Sequence, residues 1–76
     1  MTDTAKLKEA IRGSGLKLSS ILKATGIKSY ATLRSKVRNQ SEFTATEIMA
    51  LCELLSLDRE KCDEIFFAHG AELHSA

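Results

Sequence analysis

Residues 16–40, LKLSSILKATGIKSYATLRSKVRNQ, contain two short segments of helical pattern on either side of a Gly-Ile pair. The apolar stripe of the first segment consists of Leu18, Ile21, Leu22 and Thr25. Gly26 follows it and readily adopts the left-handed conformation in which many helices end. The second segment begins after Ser29, a favourable N-cap residue. The stretch therefore predicts two helices joined by a sharp corner.

Helical spacing and capping residues predict three further helices. The five predicted helices cover about residues 4–14, 18–25, 30–38, 45–56 and 59–68, and a short tail covers 69–76. Thr44 and Glu47 form a capping box, in which the hydroxyl and the carboxylate each satisfy a backbone N–H. Asp58 caps the fifth helix, and Gly15 and Asn39 supply left-handed helix ends. The predicted core consists of Leu7, Ala10, Ile11, Tyr30, Leu33, Val37, Phe43, Ile48, Leu51, Cys52, Leu55, Cys62, Ile65 and Phe66.

The length of the chain limits it to one domain with one modest core. It has 76 residues, no Pro and no Trp. A chain of this size has little stability to spare, and short loops with local contacts suit it best. Residues 1–76 are therefore predicted to form a single all-α domain, a compact five-helix bundle.

Cys52 and Cys62 each lie within a helical pattern, and no C-x-x-C motif occurs. We expect two buried free thiols in a reducing compartment, which would place the protein in the cytoplasm. His69 and His74 lie in the predicted tail and are poor candidates for metal ligands. No apolar run is long enough to span a membrane, and no signal peptide opens the chain. No metal or cofactor is expected.

Charge is divided between the two halves of the chain. Residues 1–43 have nine basic and three acidic side chains, a net charge of +6, whereas residues 44–76 have two basic and seven acidic ones, a net charge of −5. Residues 16–40 contain no acidic residue. A domain with this dipole would turn its N-terminal half toward a polyanion.

The third predicted helix combines small side chains with long cations. Its periodicity places Tyr30, Leu33 and Val37 on the core face. The opposite face contains Ala31, Thr32, Ser35 and Arg38, and Arg34 and Lys36 flank it. Small residues permit close approach to a groove floor, and Arg can form two hydrogen bonds with guanine. An ordinary solvated helix face is the alternative interpretation.

Several segments together resemble the phage Cro/repressor-type helix-turn-helix family, and especially the small phage-related regulators of Gram-positive bacteria. They are LKEAIRGSGLKLSSILKATGI, LRSKV, SEFTATEIMALCELLSLD and EIFFA, within about residues 6–68. The resemblance implies a lambda-repressor-like five-helix domain whose third helix enters the major groove of DNA. It also implies a dimer on a near-palindromic operator.

The chain departs from the family pattern at two places. Leu22 stands where the small members usually have Ala, and Val37 lies one residue further from Gly26 than is usual. The family register would put Tyr30 near DNA, whereas periodicity puts it in the core, so both positions stay open. The core assignments of Leu33 and Val37 are the same in either alignment.

The predicted DNA contacts fall into two groups. Base readout is assigned to Tyr30, Ala31, Arg34, Ser35 and Arg38. Phosphate contact is assigned to Lys17, Ser19, Ser20, Lys28, Ser29, Thr32, Asn39, Gln40 and Ser41. Only one of the adjacent Phe66 and Phe67 can point into the core, and spacing from Cys62 places Phe66 there. Phe67, with residues 68–73, is therefore the predicted contact of a weak homodimer. The alternatives are an ordinary exposed side chain and a contact with the base of the first helix.

The leading hypothesis is a sequence-specific double-stranded DNA-binding protein that regulates transcription in a bacterial cell, as a Cro-like repressor. The alternative is a helical protein-interaction module of phage origin that uses the same fold without binding DNA. An enzyme is not expected, because the sequence has no paired nucleophile and base, no metal-spaced cluster and no Gly-rich phosphate loop.

Overall fold

The computed structural model describes residues 1–67, which form five α-helices and, in this range, no strand. The helices are α1 (Thr4–Ser14), α2 (Leu18–Thr25), α3 (Tyr30–Val37), α4 (Ala45–Leu54) and α5 (Arg59–Phe66). The predicted all-α five-helix fold is confirmed. The predicted ends of α3 and α4, at residues 38 and 56, are wrong by one and two residues. The predicted end of the last helix, at residue 68, lies outside the described residues.

Side-chain caps fix the start of four helices. Asp3 accepts a hydrogen bond from the Lys6 backbone N–H, and Ser29 accepts one from the Thr32 backbone N–H. The predicted capping box of Thr44 and Glu47 is present, with both reciprocal hydrogen bonds. The predicted caps of α3, α4 and α5 are thus confirmed, the last being Asp58 with the Lys61 N–H. For α2, Lys17 occupies the N-cap position without a side-chain hydrogen bond.

Left-handed residues follow four of the five helices, α1 to α4. Gly15, Gly26 and Asn39 have φ angles of 72°, 79° and 65°, as their predicted roles require. The early end of α4 has the same cause, because Ser56 has a φ angle of 54°. The Leu57 backbone N–H then donates to the Cys52 carbonyl at 2.8 Å, which is the hydrogen bond of a Schellman motif.

The core lies where the five helices and the loop before α4 meet. Its buried side chains are Leu7, Ile21, Ile27, Leu33, Val37, Phe43, Leu51, Ile65 and Phe66. The Phe43 and Phe66 rings meet edge to face, with centroids 5.6 Å apart, so the loop residue is held against α5. The predicted partners Ala10, Ile11, Ile48 and Leu55 pack around this core and are partly buried.

The segment before α1 is joined to two distant helices. The Asn39 side chain accepts a hydrogen bond from the Thr2 backbone N–H at 2.9 Å and donates one to the Thr2 carbonyl at 2.8 Å. The Asp3 backbone N–H donates to the Ile65 carbonyl at 2.6 Å. These bonds satisfy the backbone of the buried Thr2 and connect the end of α3 to α5.

The prediction of two free thiols is wrong. Cys52 on α4 and Cys62 on α5 form a disulfide, with their Cα atoms 5.9 Å apart. Both residues lie on the apolar stripes of their helices, and those stripes face each other across the turn that joins α4 to α5. The periodicity of a single helix does not show which residue of another helix a given side chain contacts. The disulfide removes the support that free thiols gave to a reducing compartment.

Candidate nucleic-acid interface

Two buried residues set the rotation of α3. Leu33 and Val37 are both buried, as predicted, and they direct one face of the helix into the core. The opposite face of this eight-residue helix then points outward. Ala31, Thr32, Arg34 and Arg38 are exposed, and Ser35 is half-buried. The small residues and the two arginines of the prediction therefore lie on the accessible side of α3.

The core assignment of Tyr30 is wrong, because its side chain is 52% exposed. Tyr30 shares a face with Val37, but it is the first residue of α3 and lies roughly 10 Å further along the helix axis. That distance places it past the end of the core. Leu18, the first residue of α2, was assigned to the apolar stripe and is likewise 47% exposed.

The prediction that Lys36 flanks the outward face is also wrong. Its side chain is only 13% exposed, and its Nζ lies 2.6 Å from Glu47 Oε1. Lys36 follows Leu33 by three residues and therefore lies at the edge of the buried face, where it reaches the start of α4. The ion pair joins α3 to the capping box of α4, and Lys36 positions α3 rather than offering a charge to a ligand.

The Glu47 carboxylate accepts hydrogen bonds from two groups. Oε1 accepts hydrogen bonds from Lys36 Nζ at 2.6 Å and from the Thr44 backbone N–H at 2.9 Å. Burial acts to raise the pKa of Glu47, but these hydrogen bonds and the charge of Lys36 outweigh it, so the pKa lies below the ordinary value. The folded state thus favours the ionised carboxylate.

Glu47 should make folding depend on pH in a defined window. Because the pKa of Glu47 is lower in the folded state than the ordinary value of 4.5, its ionised carboxylate stabilises the fold at pH values above about 4.5. This stabilisation is lost as the pH falls through the folded-state pKa of Glu47. We expect Glu47→Gln to lower the free energy of unfolding at neutral pH and to reduce its acid dependence below about pH 5. Urea unfolding followed by circular dichroism at several pH values measures both effects.

The matched control is Glu53→Gln, because Glu53 is an exposed residue of the same helix without an ion pair within residues 1–67. It should leave the stability at neutral pH nearly unchanged. Equal losses for Glu47→Gln and Glu53→Gln would contradict the role of the ion pair.

Most of the predicted phosphate contacts surround the helix ends next to α3. Lys17 and Ser19 are exposed at the start of α2, where Ser20 is half-buried. Lys28 and Ser29 are exposed directly before α3, and Gln40 and Ser41 are exposed after it. These residues are therefore accessible at the start of α2, in the turn and in the loop after α3. Their contact with phosphate stays a prediction.

Some of these side chains already have partners. Ser29 Oγ lies 2.9 Å from Thr32 Oγ1, and Ser35 Oγ donates to Gln40 Oε1 at 3.4 Å. The Asn39 amide is occupied by both its hydrogen bonds to Thr2, so it serves the N-terminal segment. The same amide nitrogen lies 3.5 Å from Thr4 Oγ1, which is a weak hydrogen bond, so a phosphate contact of Asn39 would compete with that bond first.

A groove between α1 and α3 contains cations that the sequence reasoning missed. Its volume is about 520 Å³. This α1–α3 groove is lined by Lys8, Ile11, Arg12, Leu18, Tyr30, Leu33, Arg34, Val37 and Arg38. Lys8 and Arg12 were missed because the pattern of α1 was used only to predict its buried face. Their spacing of four residues, which places two cations on one helix face, was the available signal.

The four groove cations have no acidic partner in the described part of the chain. The ion pairs within residues 1–67 are Lys6–Glu64, Lys36–Glu47 and Lys61–Glu64. None of the residues that line the groove is acidic. Because no described carboxylate forms an ion pair with these four cations, an anionic ligand could pair with them directly.

The prediction for the adjacent aromatic residues of α5 is confirmed as far as orientation is concerned. Phe66 is buried, whereas Phe67 is 50% exposed. Phe67 and Met1 both line a hollow with Glu42 and Ile48. Residues 68–73 of the predicted dimer contact, and His69 and His74, lie outside the described residues.

No described helix is long and apolar enough to cross a membrane. Within residues 1–67, no three His, Cys, Asp or Glu residues form a group that could hold a metal ion. No family model matches this chain, and no curated protein or solved structure matches it either. The resemblance to the Cro/repressor family therefore rests on the sequence segments alone.

Proposed function

We propose that this protein binds double-stranded DNA with the outward face of α3 in the major groove and regulates transcription as a phage-type, Cro-like repressor. The observation that carries the proposal is the exposed surface of α3. It presents Arg34 and Arg38 among small side chains, and no ion pair within residues 1–67 occupies either arginine. A polyanion with a wide groove fits such a helix face.

Arg34 is the best candidate for base readout. It is exposed and lies in the middle of α3, whereas Arg38 is the C-cap residue and lies closer to the edge. A guanidinium can donate two parallel hydrogen bonds to guanine O6 and N7. Ala31 and Ser35 would set how closely α3 approaches the bases, and the exposed Tyr30 would lie at the margin of the DNA major groove.

Phosphate contacts would hold α3 in register on the duplex. The candidates are exposed at the start of α2, in the turn and after α3, namely Lys17, Ser19, Lys28, Gln40 and Ser41. Lys28 directly precedes the N-cap of α3, where the helix dipole also favours a phosphate. Asn39 is left out of this set because Thr2 occupies its side chain.

Substitutions at Arg34 and Lys28 should separate base readout from phosphate contact. Arg34→Ala should weaken binding to the preferred site by about 1–3 kcal/mol and relax the preference at one base pair per half-site. Lys28→Ala should weaken binding to all sequences alike and reduce the log–log salt slope by about one unit. Fluorescence anisotropy on the preferred site and its single-base variants, at several salt concentrations, measures both effects.

The matched control is Arg59→Ala, because Arg59 is exposed at the start of α5 and lies outside the proposed interface. It should change neither the affinity nor the salt slope. If Arg34→Ala lowers affinity equally for every base variant, Arg34 contacts a phosphate instead, and an unchanged slope for Lys28→Ala removes Lys28 from the interface.

We also propose that the protein pairs as a weak homodimer through Phe67, assembled mainly on DNA. Phe67 and Met1 are two exposed apolar side chains beside one hollow, and a two-fold contact would cover them. Such a contact would set two copies of α3 about 34–36 Å apart, one turn of DNA. A surface this small gives only weak association without DNA.

Phe67→Ser should leave the thermal stability nearly unchanged, because half of the side chain is already exposed. It should reduce the cooperativity of binding to a palindromic site while leaving half-site binding intact. Anisotropy titrations on a half-site and a full site measure the two affinities, and Met49→Ser, at another exposed apolar residue, is the matched control. Equal weakening on both sites, or loss of folding, would exclude Phe67 from the dimer contact.

A further inference from the structure

We propose that the α1–α3 groove binds an acidic polypeptide segment that has one bulky apolar side chain, and that this segment excludes DNA from α3. The competition rests on the proposed DNA-binding function, whereas the binding of the segment does not. The proposal depends on three features of the groove: its exposed apolar residues, the arrangement of its cations and its overlap with the DNA-binding face of α3.

The groove has an apolar floor and an apolar mouth. Ile11 and the buried Leu33 and Val37 form part of its lining, and Leu18 and Tyr30 line it while remaining about half exposed. Large apolar side chains exposed together in a concave site indicate a surface that binds a protein. A phosphate backbone would neutralise the cations nearby but would not cover Leu18. An apolar side chain of a polypeptide would cover it.

The groove cations form two pairs on facing helices. Lys8 and Arg12 belong to α1, and Arg34 and Arg38 belong to α3 and its C-cap. Within each pair the residues are four positions apart, so their side chains lie on one helix face roughly 6 Å apart. Carboxylates on both sides of an apolar anchor would meet both pairs, and the arginines can bind a carboxylate through two hydrogen bonds.

The ligand must bring the negative charge with it. Within residues 1–67, no carboxylate lines the groove and none of its four cations takes part in an ion pair. The volume of about 520 Å³ is in the range of sites that bury a drug-sized ligand, so it can take one apolar side chain and its flanking residues. An acidic amphipathic segment satisfies the charge and the apolar surface together.

Binding of this segment and binding of DNA use the same residues. Arg34, Arg38 and Tyr30 line the groove and are also the residues proposed to contact bases. They cannot serve both ligands, so a segment present at 100 times its own Kd would weaken DNA binding by about 100-fold. The protein would then release its operator when an acidic partner accumulates.

The test uses three synthetic peptides of equal length and the full chain without DNA. The first peptide has glutamates on both sides of one central phenylalanine, the second has alanine in place of that phenylalanine, and the third has lysines in place of the glutamates. Titration of ¹⁵N-labelled protein, followed by NMR, gives both the Kd and the site. We expect the first peptide to bind about 10-fold more tightly than the second, with shifts around Lys8, Arg12 and Leu18, and the third not to bind.

Leu18→Ser separates the peptide site from the DNA site. It should abolish the 10-fold advantage of the phenylalanine peptide and change DNA affinity by less than about twofold, because Leu18 is not a proposed DNA contact. Met49→Ser, at an exposed apolar residue outside the groove, should change neither. Circular dichroism verifies that the variants fold, which we expect because both side chains are exposed.

A second pair of variants tests the charges. Lys8→Ala with Arg12→Ala should weaken binding of the phenylalanine peptide, whereas Lys23→Ala with Arg59→Ala, at exposed cations outside the groove, should not. Anisotropy with labelled DNA then measures the competition directly. Displacement of DNA by the phenylalanine peptide, and not by the lysine peptide, is the result expected.

Four outcomes would overturn the proposal. The first is equal binding of the first two peptides, and the second is chemical-shift changes away from the groove. The third is chemical-shift changes in the groove caused by raising the protein concentration alone. The fourth is a wild-type protein that binds no peptide, together with a loss of DNA affinity when Lys8 and Arg12 are replaced. The third outcome would assign the groove to a second copy of the chain, and the fourth would assign it to DNA. Peptide binding in the groove by a protein that binds no DNA would support the site and overturn the proposed DNA-binding function.

Discussion

The ion pair between Lys36 and Glu47 fixes α3 to the start of α4. An eight-residue helix is not stable alone, so α3 depends on its contacts with the rest of the domain. Leu33 and Val37 supply the buried contacts, and Lys36 adds a hydrogen bond to a carboxylate that also closes the capping box with Thr44. Because one carboxylate serves both helices, the start of α4 and the rotation of α3 are set together. The orientation of the arginines on α3 follows from that rotation.

The charged residues that form ion pairs within residues 1–67 are not those that line the α1–α3 groove. Glu47 of α4 pairs with Lys36, and Glu64 of α5 pairs with Lys6 and Lys61. The cations of the α1–α3 groove have no such partner within residues 1–67. Arg34 and Arg38 lie between the groove and the outward face of α3. A single helix therefore presents the same arginines to two proposed ligands, DNA and an acidic polypeptide segment, and the two proposals are linked by competition for them.

The sequence predicted the features that depend on neighbouring residues. The caps Ser29, Thr44 and Asp58 and the left-handed Gly26 act within one helical turn, and all were identified. Specific contacts between side chains of different helices were missed, although the buried positions Leu33, Val37 and Phe66 were predicted. The disulfide and the Lys36–Glu47 ion pair join residues of different helices, and the exposure of Tyr30 depends on where the core ends. The predicted DNA contacts are accessible for the most part, but contact with DNA depends on a partner that the fold alone does not define.

Selection of bound DNA from a random pool, followed by sequencing, tests whether α3 binds DNA sequence-specifically. We expect enrichment of a near-palindromic sequence whose half-sites are one helical turn apart and contain a guanine that loses its enrichment in Arg34→Ala. A pool that stays random after several rounds at moderate salt would contradict sequence-specific binding by α3. Enrichment of the same sequence by wild type and Arg34→Ala would contradict the assignment of Arg34 to base readout.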